Sequence, residues 1–158
     1  MSTPIPTTRE EQERYVQHAL ARAEELRKQR NYQEGISLLV DALQYGVEKA
    51  QLYYRLGNIY FDGGDLGRAE YVYKRALEVD PHHVNAMHNL AVVYKQQQKI
   101  SLYVKTYKKS QRLALRFPRT SSITPEQKKR LRWLSGKVLF WIIAALGAVA
   151  LLLWLFMH

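Results

Sequence analysis

Along most of the chain apolar residues return every three or four positions, with charged and polar residues between them. That spacing predicts amphipathic helices, and no stretch alternates apolar and polar as a strand would. Residues 1–8 are polar and contain Pro, so they are expected to be disordered. The first helix is expected to begin at Arg9, because Thr8 and Glu11 stand at capping-box spacing. Phe117-Pro118 and the linker RTSSI interrupt the pattern; Thr124, Pro125 and Gln127 then restart a helix as N-cap, first-turn Pro and box-closing amide. From Val138 to Met157 the alternation vanishes, leaving twenty residues with no charge and no Pro. At a helical rise this run covers about 30 Å, the depth of a bilayer's hydrocarbon core, so a transmembrane helix is expected over 138–157.

The helical pattern also repeats itself. Shifted by 34 residues, Asn31-Tyr32 falls on Asp65-Leu66 and on Lys99-Ile100. In the same way Gly35 falls on Ala69 and Tyr103, Leu39 on Tyr73 and Tyr107, and Ala42 on Ala76 and Ser110. Three units follow, 16–49, 50–83 and 84–117. A period of this length marks stacked helical hairpins that cannot bury their apolar faces singly. In the middle unit Gly57 and Ala69 are small where two antiparallel helices touch, and Ala76 lets the next unit approach. Gly63-Gly64-Asp65 makes the turn, and Pro81, with no N–H to donate, ends the second helix. With Tyr53, Leu56, Tyr60 and Tyr73 these residues make the unit resemble a tetratricopeptide (TPR) repeat over its whole length. The flanking units are degenerate: Arg22 stands where Leu56 does, and Tyr103 and Ser110 where Ala is usual. The resemblance implies an all-α chain with three TPR-like helix–turn–helix repeats forming a short solenoid over 9–117. A linker and basic juxtamembrane helix (118–137) and the single C-terminal transmembrane helix would follow.

Charge sharpens this picture. The chain carries a formal +10, yet residues 1–94 hold 11 Lys/Arg against 13 Asp/Glu, and residues 95–158 hold 13 against one. Such asymmetry suggests that one end meets an anionic partner. Lys128, Lys129, Arg130, Arg132 and Lys137 precede the apolar run and no Lys or Arg follows it, so residues 1–137 are expected on the cytoplasmic side of a tail-anchored protein. Those five cations are expected to contact anionic lipid headgroups. Ala144, Gly147 and Ala148 form a small-residue patch suited to packing against another transmembrane helix. There is no Cys, so disulfides, thiolate metal sites and thiol nucleophiles are excluded.

The resemblance further implies a concave groove lined by the first helix of each repeat. Its positions fall on Gln17, Leu20, Glu24 and Arg27 in the first repeat, and on Tyr54, Asn58, Phe61 and Asp62 in the second. In the third they fall on Asn85, His88, Val92 and Lys95. A partner segment is the expected occupant; an idle groove, or one filled by another part of the chain, is the alternative. Asn58 and Asn89 match two positions of a chaperone-type carboxylate clamp, but Tyr54 stands where its first Lys should be, so no such clamp is expected. In the last repeat Tyr103, Tyr107, Ser110, Ala114 and Phe117 share one helix face, and Lys105, Lys109, Arg112 and Arg116 the opposite one. That basic face is either solvated or holds anionic headgroups or an acidic partner subunit; nucleic acid is not expected, since no recognition motif accompanies the charge. His82, His83 and His88 lack nearby acids to complete a ligand set, so no metal is expected, and no cofactor either. No phosphate loop and no nucleophile–base arrangement is present, and the chain is not expected to be an enzyme. The expected function is a membrane-anchored scaffold or adaptor that mediates protein–protein interaction at the cytoplasmic membrane surface. The alternatives are a permanent accessory subunit of a larger membrane complex, with integral membrane subunits as partners, and a tail-anchored adaptor of an organelle outer membrane.

Overall fold

A computed structural model describes residues 6–117. Among them are six α-helices and no strand: α1 (Arg9–Lys28), α2 (Tyr32–Leu43), α3 (Lys49–Asp62), α4 (Leu66–Val79), α5 (Val84–Gln96) and α6 (Ile100–Arg116). They pair as α1/α2, α3/α4 and α5/α6, the helix pairs of a TPR-like all-α fold. Local chemistry sets the starts. Thr8 Oγ1 accepts from the Glu11 N–H at 3.3 Å while the Glu11 carboxylate accepts from the Thr8 N–H at 3.0 Å, so α1 opens on a capping box. Asp65 caps α4 by accepting from the Arg68 N–H, and His83 caps α5 by accepting from the Ala86 N–H at Nδ1.

The turns inside the three hairpins are one structure used three times. Arg30, Gly64 and Gln98, spaced by 34 residues, all lie in the left-handed region, with φ of 61°, 81° and 60°. In each turn the N–H of the next residue returns to the carbonyl five positions back: Asn31 to Leu26, Asp65 to Tyr60 and Lys99 to Tyr94, all at 2.9 Å. The N–H of the left-handed residue itself bonds the carbonyl three positions back, at 3.0, 3.0 and 3.1 Å. This Schellman arrangement satisfies carbonyls that the helix end would leave bare. Only the middle turn uses Gly, so Arg30 and Gln98 each carry the cost of a Cβ in this region.

Apolar faces then stack. Val16, Ala19, Leu39, Ala42, Leu52 and Ile59 are buried in a core shared by α1, α2 and α3. Ala69, Tyr73, Ala76, Ala86, Leu90 and Val93 form a second core among α4 and α5. Polar bridges tie one repeat to the next. Lys99, in the last hairpin turn, reaches Glu70 of α4 at 2.8 Å, and Gln97 Nε2 donates to the Leu66 carbonyl at 3.2 Å. Burial pushes the Glu70 carboxyl up, but hydrogen bonds from Lys74, Lys99 and Gln97 outweigh it and hold the group at about 2, below its ordinary 4.5.

The expected membrane anchor is corrected at this point. No helix among the described residues is long and apolar enough to cross a membrane. The longest, α1, has 20 residues but carries charge along its length, and every helix through α6 buries a stripe rather than its whole circumference. The segment 138–157, with Ala144, Gly147 and Ala148, lies outside the described residues, as do Lys128, Lys129, Arg130, Arg132 and Lys137. The expected transmembrane helix, tail-anchored topology and cytoplasmic assignment are therefore not supported by any helix among the described residues.

Two outcomes test this architecture. Gln98→Gly removes the Cβ penalty at a left-handed position and should raise stability by about 0.5–1 kcal/mol, seen as a higher urea midpoint at unchanged slope. Because the Glu70 carboxyl is depressed in the folded state, its contribution is complete above pH 4.5 and lost as pH falls toward 2. Thermal melts over that window should fall less steeply for Glu70→Gln than for the parent chain.

Candidate functional site

The first helices α1, α3 and α5 lie side by side, and a cleft of about 280 Å³ opens across them. Tyr54, Phe61 and Val92 supply apolar wall, Arg27 and Asp62 stand at one end, and Asn58, Tyr73 and Asn89 complete the lining. Tyr54, Asn58 and Phe61 share a face because they lie three and four residues apart on α3. Tyr54 is held between rings, with centroids 4.8 Å from His83 and 6.3 Å from Tyr73.

Tyr73 comes from α4, yet it reaches this cleft by lying over Gly57 of α3. A Cβ on residue 57 would sit 2.4 Å from Tyr73 Cε1, so only Gly leaves room for the ring. The side chain is 1% exposed and its hydroxyl, pushed up by burial, stays neutral. That hydroxyl donates to Asn58 Oδ1 at 2.8 Å, and Asn89 Nδ2 donates to the same oxygen at 2.9 Å. With Oδ1 twice engaged, neither Asn58 Nδ2 nor Asn89 Oδ1 has a hydrogen-bond partner among the described residues.

The link between Asn58 and Asn89 has a counterpart one repeat earlier. Subtracting 34 gives Glu24 and Arg55, and Arg55 Nη1 donates to Glu24 Oε2 at 2.8 Å. Here the bridge is ionic. Glu24 also takes both Nε and Nη2 of Arg27, and Arg27 Nη1 bonds Asp62. The Arg27 hydrogen bond, assisted by the charges of Arg27 and Arg55, outweighs burial and holds the Glu24 carboxyl below its ordinary range. Glu24 and Asp62 in turn raise the Arg27 guanidinium. The four groups largely neutralise one another.

Other positions expected on the groove lie elsewhere. Leu20 is 6% exposed, part of the buried stripe Val16, Ala19, Leu20, Ala23 and Leu26, so it belongs to the core. His88 and Lys95 are exposed and lean toward α6, His88 with its ring 5.9 Å from that of Tyr107 and Lys95 Nζ 5.9 Å from the Tyr103 ring. Lys105, Lys109, Arg112 and Arg116 lie on the exposed side of α6, away from the cleft. Among the described residues no group of His, Asp and Glu could hold a metal ion. Tyr73 was not expected among the lining residues, and Asn89 only as a matching position of a clamp that was not expected. The signal for Tyr73 was chemical: a buried hydroxyl needs a partner, and a Tyr facing Gly57 must find one beyond it.

Residues 57–98 match the TPR repeat family. A stretch of 57 residues, 36% of the chain, is 37% identical to a Pyropia yezoensis protein that carries the name uncharacterized protein ycf37. The chain spans about a third of that protein's length, 32%. The fold and these matches support a helical TPR-type module for protein–protein interaction. Such a build is typical of non-catalytic scaffold proteins.

Removing the Tyr73 hydroxyl isolates its role. Tyr73→Phe keeps the ring over Gly57 but leaves Asn58 without one of its two donors, and should lower stability by about 1 kcal/mol in denaturant titrations.

Proposed function

We propose that this chain binds an extended segment of a partner protein in the cleft between α3 and α5. The observation that carries the reading is the free donor on Asn58 and the free acceptor on Asn89. One donor beside one acceptor complements the C=O and N–H of a peptide backbone. The network through Tyr73 fixes which edge of Asn58 is offered, so little ordering is needed on binding. Tyr54, Phe61 and Val92 supply the apolar wall for a side chain of that segment. A volume of about 280 Å³ is small for a ligand cleft and suits one bulky residue rather than a folded surface. At the equivalent place between α1 and α3 the Glu24 and Asp62 carboxylates are already engaged by Arg27 and Arg55, and the group left over is the buried Arg55 Nε. The α3–α5 end is therefore the better receptor for a backbone donor and acceptor.

The test is a peptide array probed with the full chain, with the Tyr54→Ala/Phe61→Ala double variant and with Asn58→Ala. Peptides bound by the parent should carry a bulky apolar residue. Their affinity should fall at least about tenfold in the double variant, the size expected when central aromatic anchors are truncated. If both variants keep helical circular dichroism and every bound peptide, the cleft is not the receptor.

A further inference from the structure

Helix α6 carries five cations, Lys105, Lys108, Lys109, Arg112 and Arg116, and no acid. All five are exposed, and among the described residues none forms an ion pair. Elsewhere among the described residues Arg9, Arg22, Arg27, Arg55, Arg68, Lys74, Arg75 and Lys99 each meet a carboxylate, while Arg14, Lys28, Arg30, Lys49 and Lys95 do not and are scattered rather than aligned on one helix. The charge on α6 is also patterned. Leu102, Lys105, Lys109, Arg112 and Arg116 follow one another at steps of three, four, three and four residues, which places them in one straight row along the helix. From Lys105 to Arg116 the row runs for roughly 16 Å. Exposed apolar side chains border it, with Leu102 42% exposed in the row's first position and Leu115 83% exposed beside its end.

We propose that this row is a second docking surface, distinct from the cleft, and that it takes an acidic amphipathic helix from a partner protein. A helix with Glu or Asp at the same three–four steps would meet each cation in turn, and its flanking apolar residues would cover Leu102 and Leu115. Two other anionic surfaces fit less well. A helix lying on a membrane turns its broad apolar face to the acyl chains. Here part of that face packs on α5, with Ser110 buried and Tyr103 and Tyr107 half-buried. The exposed apolar side chains Ile100, Val104 and Leu115 share their row with Lys108 and Gln111, so no broad apolar face remains. Single-stranded nucleic acid is held by aromatic platforms beside the basic groove, and the row contains none.

Three probes test this with the full chain: a synthetic helix of about 20 residues with Glu at three–four spacing, vesicles of anionic phospholipid, and a single-stranded RNA of similar length. A peptide of the same composition with scrambled Glu positions is the control. The patterned helix should bind at least about fivefold more tightly than the scrambled one, and more weakly at ~300 than at ~50 mM salt. Lys105→Glu/Lys109→Glu/Arg112→Glu should weaken it about tenfold or more, while Arg14→Glu/Arg30→Glu/Lys49→Glu, an equal charge change elsewhere, should leave it nearly unchanged. Tyr54→Ala/Phe61→Ala should also leave it unchanged, which separates this surface from the cleft. Equal binding of the patterned and scrambled peptides, equal loss in the two charge-reversal variants, or α6-dependent capture of vesicles or RNA without capture of the helix would each overturn the proposal.

Discussion

The contact between the Tyr73 ring and the backbone of Gly57 is the constraint on which the rest of the described fold turns. It brings α3 and α4 closer than any Cβ would allow, and it buries a large ring at 1% exposure. The ring does not end in the core. Its hydroxyl emerges on the far side of α3, fixes the Asn58 amide and, through that amide, meets Asn89 of α5. Hairpin geometry, the step from the second repeat to the third and the polar floor of the cleft therefore share one side chain. A substitution at residue 57 would act on all of them.

Much of this build was legible in the residues. The 34-residue shift found the hairpin turns through Asn31, Asp65 and Lys99, which are the residues whose N–H groups close the three Schellman turns. It did not reveal that Arg30 and Gln98 adopt positive φ, because neither is Gly and propensity alone argues against them there. Helical spacing on α3 was enough to group Tyr54, Asn58 and Phe61. It gave no measure of how deeply Leu20 sits: the side chain is largely buried in the α1 stripe and still borders the cleft of Gln17, Glu24 and Arg55, which only packing decides. It missed Tyr73 because the expectation drew the groove from first helices alone. The reading of a membrane-anchored chain came from an uncharged run, and the helices described here give it no support: each keeps a polar face.

The two repeat junctions use the same positions for different chemistry. Glu24–Arg55 and Asn58–Asn89 are equivalent pairs, one a bridge of charges and the other of amides. Charges in such a place find additional partners, and Arg27 and Asp62 join the set, leaving the buried Arg55 Nε without an acceptor among the described residues. Amides have direction and finite valence, so once two donors meet at Asn58 Oδ1 the leftover groups are defined. The amide junction leaves a donor on Asn58 and an acceptor on Asn89, whereas the ionic one leaves the Arg55 Nε donor.

That difference gives the array a grain. Ionic links weaken with dissolved salt and with acid, because screening and protonation act on charge, whereas amide links are nearly indifferent to both. Both seams carry ions, Glu24–Arg55 between the first and second repeats and Glu70–Lys99 between the second and third, but only the second seam adds the Asn58–Asn89 link, which does not respond to the medium. Under rising ionic strength or falling pH both seams lose ion pairs, and the polar link that persists is the one running through Tyr73.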